Sequence, residues 1–278
     1  MMRVVGLALV VVGCTTPEVP DAAVECDVAS EHPRAEALQT LVDRPVAQGV
    51  PGIGIAVMTP DGIWQGAAGE ADIEHGIAMT PCHVHSWESI GKTWFAALAL
   101  RLAEVGELEL DGRAAGVLAP EVVEGLANVD RATFRDLLQH VTGLPDFNED
   151  LGYLGNELDD PIDDDTPRDL LDFVRGQPAH FAIGEGYRYS DSNFVLVALA
   201  ADALRGDRSQ AMRDEVFAPL GLTHTWAPRP GDPAPQGRVA SYWEVAGSPG
   251  RGAPVWVSPS GAKTSSRMAW LRSPRSAS

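Results

Sequence analysis

Basic residues are scarce in this chain: 21 lysines and arginines stand against 39 aspartates and glutamates, a formal net charge of −18. A surface that negative repels a phosphate backbone and argues against nucleic acid as a partner. Cysteine occurs three times in 278 residues, at Cys14, Cys26 and Cys82, so at most one disulfide closes within the chain. Long hydrophobic runs are missing as well, and the apolar stretch Val4 to Gly13 is too short to span a bilayer as a helix. No internal repeat and no central linker interrupt the sequence, and its length suffices for one sizeable core.

What the chain does have is Ser89-Ile90-Gly91-Lys92 at the head of an apolar helical stretch, and Tyr189-Ser190-Asp191 100 residues later at the start of another. A serine hydroxyl is a weak nucleophile unless a base lies within hydrogen-bond reach. Residues i and i+3 are neighbours on a helix, so Lys92 stands one turn from Ser89, and Tyr189 supplies a second titratable group from elsewhere in the fold. The following Thr93 to Leu102 are apolar almost all round, as in a buried central helix, and Gly106 offers a stop. A core helix that merely begins with Ser and Lys satisfies the same pattern. A phosphate-binding loop does not, because Gly91-Lys92-Thr93 would need a glycine where Ser86 stands.

Further segments widen the pattern. Pro51-Gly52-Ile53-Gly54-Ile55-Ala56-Val57 with Asp61-Gly62, His140-Val141-Thr142-Gly143-Leu144-Pro145-Asp146, Gly184-Glu185-Gly186 with Tyr187 to Leu199, and Pro219-Leu220-Gly221-Leu222 occur in this order. Together with the serine motif they resemble the serine β-lactamase and D-alanyl-D-alanine carboxypeptidase family, above all class C β-lactamases and related esterases, over roughly residues 34 to 271. The resemblance implies an α+β fold of β-lactamase/transpeptidase type, an antiparallel sheet with a helical region, and no cofactor. It implies catalysis by Ser89, Lys92 and Tyr189, with Ser89 attacking a carbonyl and either Lys92 or Tyr189 taking its proton, a choice the sequence leaves open. Where the family carries Asn, this chain has Asp191, which when ionised only accepts hydrogen bonds. Asp191 and Asn193 are the candidate substrate-binding residues, Asn193 having the alternative of a plain helix-face position.

The family's third motif, Lys-Thr-Gly or His-x-Gly, has no good copy. Lys263-Thr264-Ser265 lies only 74 residues after Tyr189, and its surroundings from Ser260 to Leu271 resemble instead a helix start that precedes the missing strands. The expectation is therefore a domain over 34–278 that lacks its C-terminal strands and one oxyanion donor. Such a donor is worth about 10² to 10³ in turnover.

Met1-Met2-Arg3 and the apolar run read as a signal peptide over 1–13, and Val11-Val12-Gly13-Cys14 resembles a bacterial lipobox. Cys14 is then the lipidation site, residues 14–33 with their prolines form a tether, and the protein is exported and held to the cell envelope by lipid alone. Cys26 and Cys82 are free to pair in an oxidising compartment. Cys82, His83 and His85 invite a zinc reading, but no fourth ligand is evident and no metal site is assigned. The acidic residues from Glu157 to Asp165 read as a solvated loop. Helices are expected over 34–48, 89–105, 133–139, 167–175, 193–204 and 208–216, and a hairpin over 51–58 and 63–78, the helices segregated from one sheet. The leading functional expectation is a serine hydrolase acting through an acyl-enzyme on a β-lactam, a D-alanyl peptide or a small ester. The alternative is an inactive envelope lipoprotein that binds peptidoglycan or another partner.

Overall fold

A computed structural model describes residues 32–154, 166–229, 243–244 and 256–257. The stretch expected to be a signal peptide, most of the stretch expected to be a tether, Cys14, Cys26, the acidic stretch and Lys263 lie outside the described residues. Cys82 is disulfide-bonded, and both other cysteines are among the residues not described. The chain divides into two compact units, one of residues 1–85 with 236–278 and one of 86–235, where the sequence reading has a single domain over 34–278.

The first unit is a helix on a small antiparallel sheet. Helix α1 (Ala35–Ala47) precedes β1 (Gly52–Thr59), β2 (Gly62–Asp72) and the short β3 (Ile77–Ala78), in the order β1-β2-β3. The β1–β2 register runs from Gly52 opposite Gly69 to Thr59 opposite Gly62. The Gln39 amide donates to the Ala67 carbonyl at 2.9 Å and ties α1 to β2. His32 and Pro33 are the described residues of the stretch expected to be a tether. His32 is buried, its Nδ1 accepts the Arg34 N–H at 3.1 Å, and Nε2 therefore donates to Thr59 Oγ1 at 2.9 Å.

The single strand expected over 63–78 is broken at Asp72. Its Oδ1 accepts the N–H groups of Glu74 (2.9 Å) and His75 (3.1 Å), and Gly76 takes φ +64°, so the chain reverses and Ile77 pairs back opposite Asp72. An aspartate that satisfies the backbone two and three residues on competes with the ladder and wins at a glycine. A separate two-stranded pair joins β4 (Trp243–Glu244) to β5 (Trp256–Val257).

The second unit is helical. It contains α2 (Gly91–Glu104), α3 (Pro120–Val123), α4 (Phe134–Leu138), α5 (Pro167–Asp172), α6 (Asp191–Arg205) and α7 (Arg208–Met212), the last continued by a π-helical turn at Arg213–Phe217. Capping boxes start α4 at Thr133/Asp136 and α5 at Thr166/Asp169. Each satisfies two otherwise orphaned N–H groups. Leu98, Leu102, Phe134, Leu137, Val174 and Leu196 anchor the core of this unit. The buried helix is α6 rather than the expected α2: nine of its fifteen residues are buried, against three of fourteen in α2, where Leu100 is 53% exposed. The small side chains Ala198, Ala200 and Ala201 let neighbours approach α6 closely, whereas α2 packs within its unit along one side. Sheet and helices together make an α+β fold, as the sequence implies.

Candidate active site

The serine motif is helical, but the helix begins tightly. Glu88–Ile90 form a 3₁₀ turn that runs directly into α2, and Glu88 takes φ +44° immediately before Ser89. A non-glycine residue in that region costs about 1 to 3 kcal/mol and persists where the surroundings impose it. Trp87 packs edge-on against Trp94, with ring centroids 5.7 Å apart, and Trp94 against Phe217 at 5.5 Å, which pins the turn to α2. Ser89 is exposed in the first turn, where N–H groups lack intrahelical acceptors and the helix dipole favours negative charge.

Three groups converge on the Ser89 hydroxyl or on one another. The Lys92 ammonium donates to Ser89 Oγ at 3.4 Å, and Tyr189 Oη lies 2.9 Å from the same atom. Tyr189 Oη is also 3.0 Å from Asp191 Oδ1, which forms an ion pair with Lys92. The Asn148 amide donates to the other carboxylate oxygen of Asp191. A phenol has one proton and here two acceptors in reach. The charged carboxylate makes the stronger hydrogen bond, so the phenolic proton points to Asp191 and the oxygen lone pair faces the serine O–H.

Electrostatics reinforce this order. Burial opposes the charged form of Lys92, but hydrogen bonds to Asp191 and Tyr189 outweigh it and hold the amine above the ordinary lysine value. Burial likewise opposes the Asp191 carboxylate, and the Lys92 and Asn148 donors outweigh it, holding Asp191 below the usual carboxylate value. Lys92 and Asp191 side chains are only 18% and 16% exposed, so little solvent screens the pair.

A second set of residues holds Tyr189 in place. His140, at φ +56°, stacks on the Tyr189 ring with centroids 4.6 Å apart, and its Nδ1 accepts the Ser190 N–H at 3.2 Å. Burial and the nearby Lys92 push the imidazole below its ordinary value, which keeps Nδ1 free to accept. The Ser190 hydroxyl donates to the Pro145 carbonyl (3.1 Å), and the Phe147 N–H donates to Ser192 Oγ (3.1 Å). The Thr142 hydroxyl donates to Asn193 Oδ1 (2.8 Å). The segments 140–147 and 189–193 are thus joined by buried polar side chains, each of which would be costly to leave unpaired. Asn193 is fully buried in this seam, so the structure does not bring it to the serine, while Ser89, Lys92, Tyr189 and Asp191 are brought together.

Gly143 is the tight point of the seam. Its φ is +72°, and a Cβ there would lie 2.3 Å from the Phe181 carbonyl oxygen. Gly143→Ala is expected to lower unfolding stability by about 2 kcal/mol or more, read as a reduced denaturation midpoint in urea. Beside this seam opens a cleft of about 320 Å³ lined by Pro145, Asp146, Glu149, Asp150, Gln177 and His180. Burial pushes the Asp146 carboxyl up although it accepts the backbone N–H groups of Asp191 and Asn148.

His140, Asn148, Thr142, Ser190 and Ser192 carry no role in the sequence reading. One compositional signal does mark Lys92: it is one of two lysines in the whole chain, the other being Lys263. In the segment that invites a zinc reading, Cys82 is in a disulfide and His83 Nδ1 accepts from the Thr80 backbone N–H at 3.0 Å.

The beta-lactamase family profile matches residues 37–269. The chain belongs to the beta-lactamase family. This family member is 30% identical over 210 residues to penicillin-binding protein 4 of Amycolatopsis lactamdurans, a match covering 74% of this chain and 52% of that protein. Among solved structures it resembles a D-stereospecific amidohydrolase from Streptomyces sp. with 27% identity and a TM-score of 0.65, covering 76% of this chain and 61% of that one. The D-amino acid amidase of Ochrobactrum anthropi SV3, complexed with D-phenylalanine, follows with 26% identity and a TM-score of 0.63, covering 76% and 57%. The beta-lactamase-family chain therefore spans about half the length of the curated relative and under two thirds of either solved structure.

Proposed function

We propose that this chain is a serine hydrolase that acts on amide or ester bonds of a small-molecule or peptidoglycan-derived substrate through an acyl-enzyme on Ser89. The carrying observation is the convergence of Lys92 and Tyr189 on one exposed serine hydroxyl, Tyr189 Oη at 2.9 Å. In this reading Ser89 attacks the carbonyl carbon, and the helix N-terminus stabilises the developing negative charge. Tyr189 lies within proton-transfer distance of the nucleophile and, in this reading, passes a proton on to the departing group. Two of the relatives, named a D-stereospecific amidohydrolase and a D-amino acid amidase, favour an amide of a D-configured compound as the substrate. Residues 1–14 support export with a lipid on Cys14.

The test is to treat the purified protein with a fluorophosphonate and, separately, with a labelled penicillin, and to map any adduct by peptide mass spectrometry. The expected result is a single adduct on the peptide that carries Ser89, by at least one of the two probes. A folded protein labelled by neither would overturn the hydrolase reading and favour the inactive envelope lipoprotein.

A further inference from the structure

Resting on the hydrolase reading, the geometry points to Asp191 as the terminal proton acceptor of acylation, reached through the Tyr189 phenol, while Lys92 stays an ammonium throughout. The direction of the hydrogen bonds leads to this. Tyr189 Oη sits between Ser89 Oγ at 2.9 Å and Asp191 Oδ1 at 3.0 Å, its proton drawn to the carboxylate and its lone pair to the serine. Lys92, paired with Asp191, has no lone pair to offer and so does not deprotonate Ser89.

The step balances. The Ser89 O–H bond breaks as the Oγ–carbon bond forms, and the carbonyl π pair moves to its oxygen. The serine proton goes to Tyr189 Oη while the phenolic proton goes to Asp191 Oδ1. When the intermediate collapses, the proton held by Asp191 returns to the phenol, the phenol's proton passes to the leaving nitrogen or oxygen, and the bond from carbon to that atom breaks. No net charge leaves the site. Asp191 acts through Tyr189 and does not itself touch the substrate.

The charged and titratable groups facing Asp191 come from every element around it. Lys92 comes from α2, Tyr189 from the segment before α6, and His140 from the 140–147 turn. Asp146, on that turn, accepts the Asp191 backbone N–H. Lys92 favours the carboxylate and Asp146 opposes it. His140, held below its ordinary value, adds no positive charge at neutral pH. The net result is an Asp191 that stays ionised below the ordinary carboxylate range, so the loss of rate that comes from protonating Asp191 is expected only as pH drops through that depressed value.

The experiment measures the burst of nitrophenol from p-nitrophenyl acetate against pH for the wild type, for Asp191→Asn and for a double variant that combines Asp191→Asn with Asn148→Asp. Asp191→Asn is expected to acylate about 10²-fold more slowly at pH 7. Its residual rate is expected to climb with pH, because Lys92, no longer held charged, then serves as base only once it has lost its proton. In the double variant the amide introduced at position 191 donates to the carboxylate introduced at position 148, and the amide oxygen still accepts from Lys92 and Tyr189. The hydrogen-bond geometry is thereby kept while the carboxylate no longer meets the phenol, and the rate is expected to remain low. Asp191→Asn reacting within a few-fold of wild type with an unchanged pH profile would overturn the inference. So would the double variant regaining both rate and profile, since Asp191 would then serve geometry alone. A wild type that gives no burst and no Ser89 adduct would instead strike the hydrolase reading itself.

Discussion

Replacing Lys92 with alanine is expected to slow acylation at pH 7 by about 10³- to 10⁴-fold, the largest effect of any single side chain other than the nucleophile. The ammonium has three tasks. It donates to Ser89 Oγ at 3.4 Å, pairs with Asp191, and lies over the Tyr189 ring 5.1 Å from its centroid. Removing it leaves a carboxylate that burial opposes, with only Asn148 and Tyr189 as donors. The Asp191 carboxyl is then expected to rise, and the acid limb of the rate profile moves toward neutral pH. The sign follows from linkage: a carboxyl depressed in the wild type stays ionised until pH falls below its lowered value, and loses that margin with its partner. Burst kinetics across pH, with circular dichroism to confirm the fold, checks both parts. A rate near wild type would make Lys92 a packing residue.

Tyr189→Phe is expected to cost about 10³-fold in the same assay. Phenylalanine keeps the stack on His140 at 4.6 Å and the contact with the Lys92 ammonium, and loses only the hydroxyl that bridges Ser89 and Asp191. Because Tyr189 is 37% exposed and the seam between 140–147 and 189–193 does not use the hydroxyl, the thermal midpoint is expected to stay at the wild-type value. A slow enzyme of unchanged stability separates proton transfer from support of the fold. Equal losses of rate and stability would point to support alone.

Several features of this arrangement are open to reading from residues in order. The i, i+3 spacing of Ser89 and Lys92 needs only a helix to become a contact, and Gly106 does follow the last turn of α2 at φ +77°. Helices over 34–48, 133–139 and 193–204 match α1, α4 and α6 to within two residues at each end, because periodic apolar positions report local geometry. The second strand departs from its expected length because the side chain of Asp72 captures backbone donors that a propensity argument assigns to the ladder. The burial ranking of α2 and α6 is reversed for a different reason. Both are apolar, and only the number of neighbours around each helix decides which is enclosed.

By itself, then, the sequence determined the family, the α+β class, the acidic surface and the local pairing of an alcohol with an amine, all of which follow from short-range spacing and composition. Tertiary structure alone decided that Asp191 turns to Lys92 and Tyr189 while Asn193, two residues on, turns inward to Thr142. Successive residues at a helix start point in different directions. Which of them meets the serine depends on how a segment 100 positions away is held against the 140–147 turn by buried hydrogen bonds, and no local pattern encodes that.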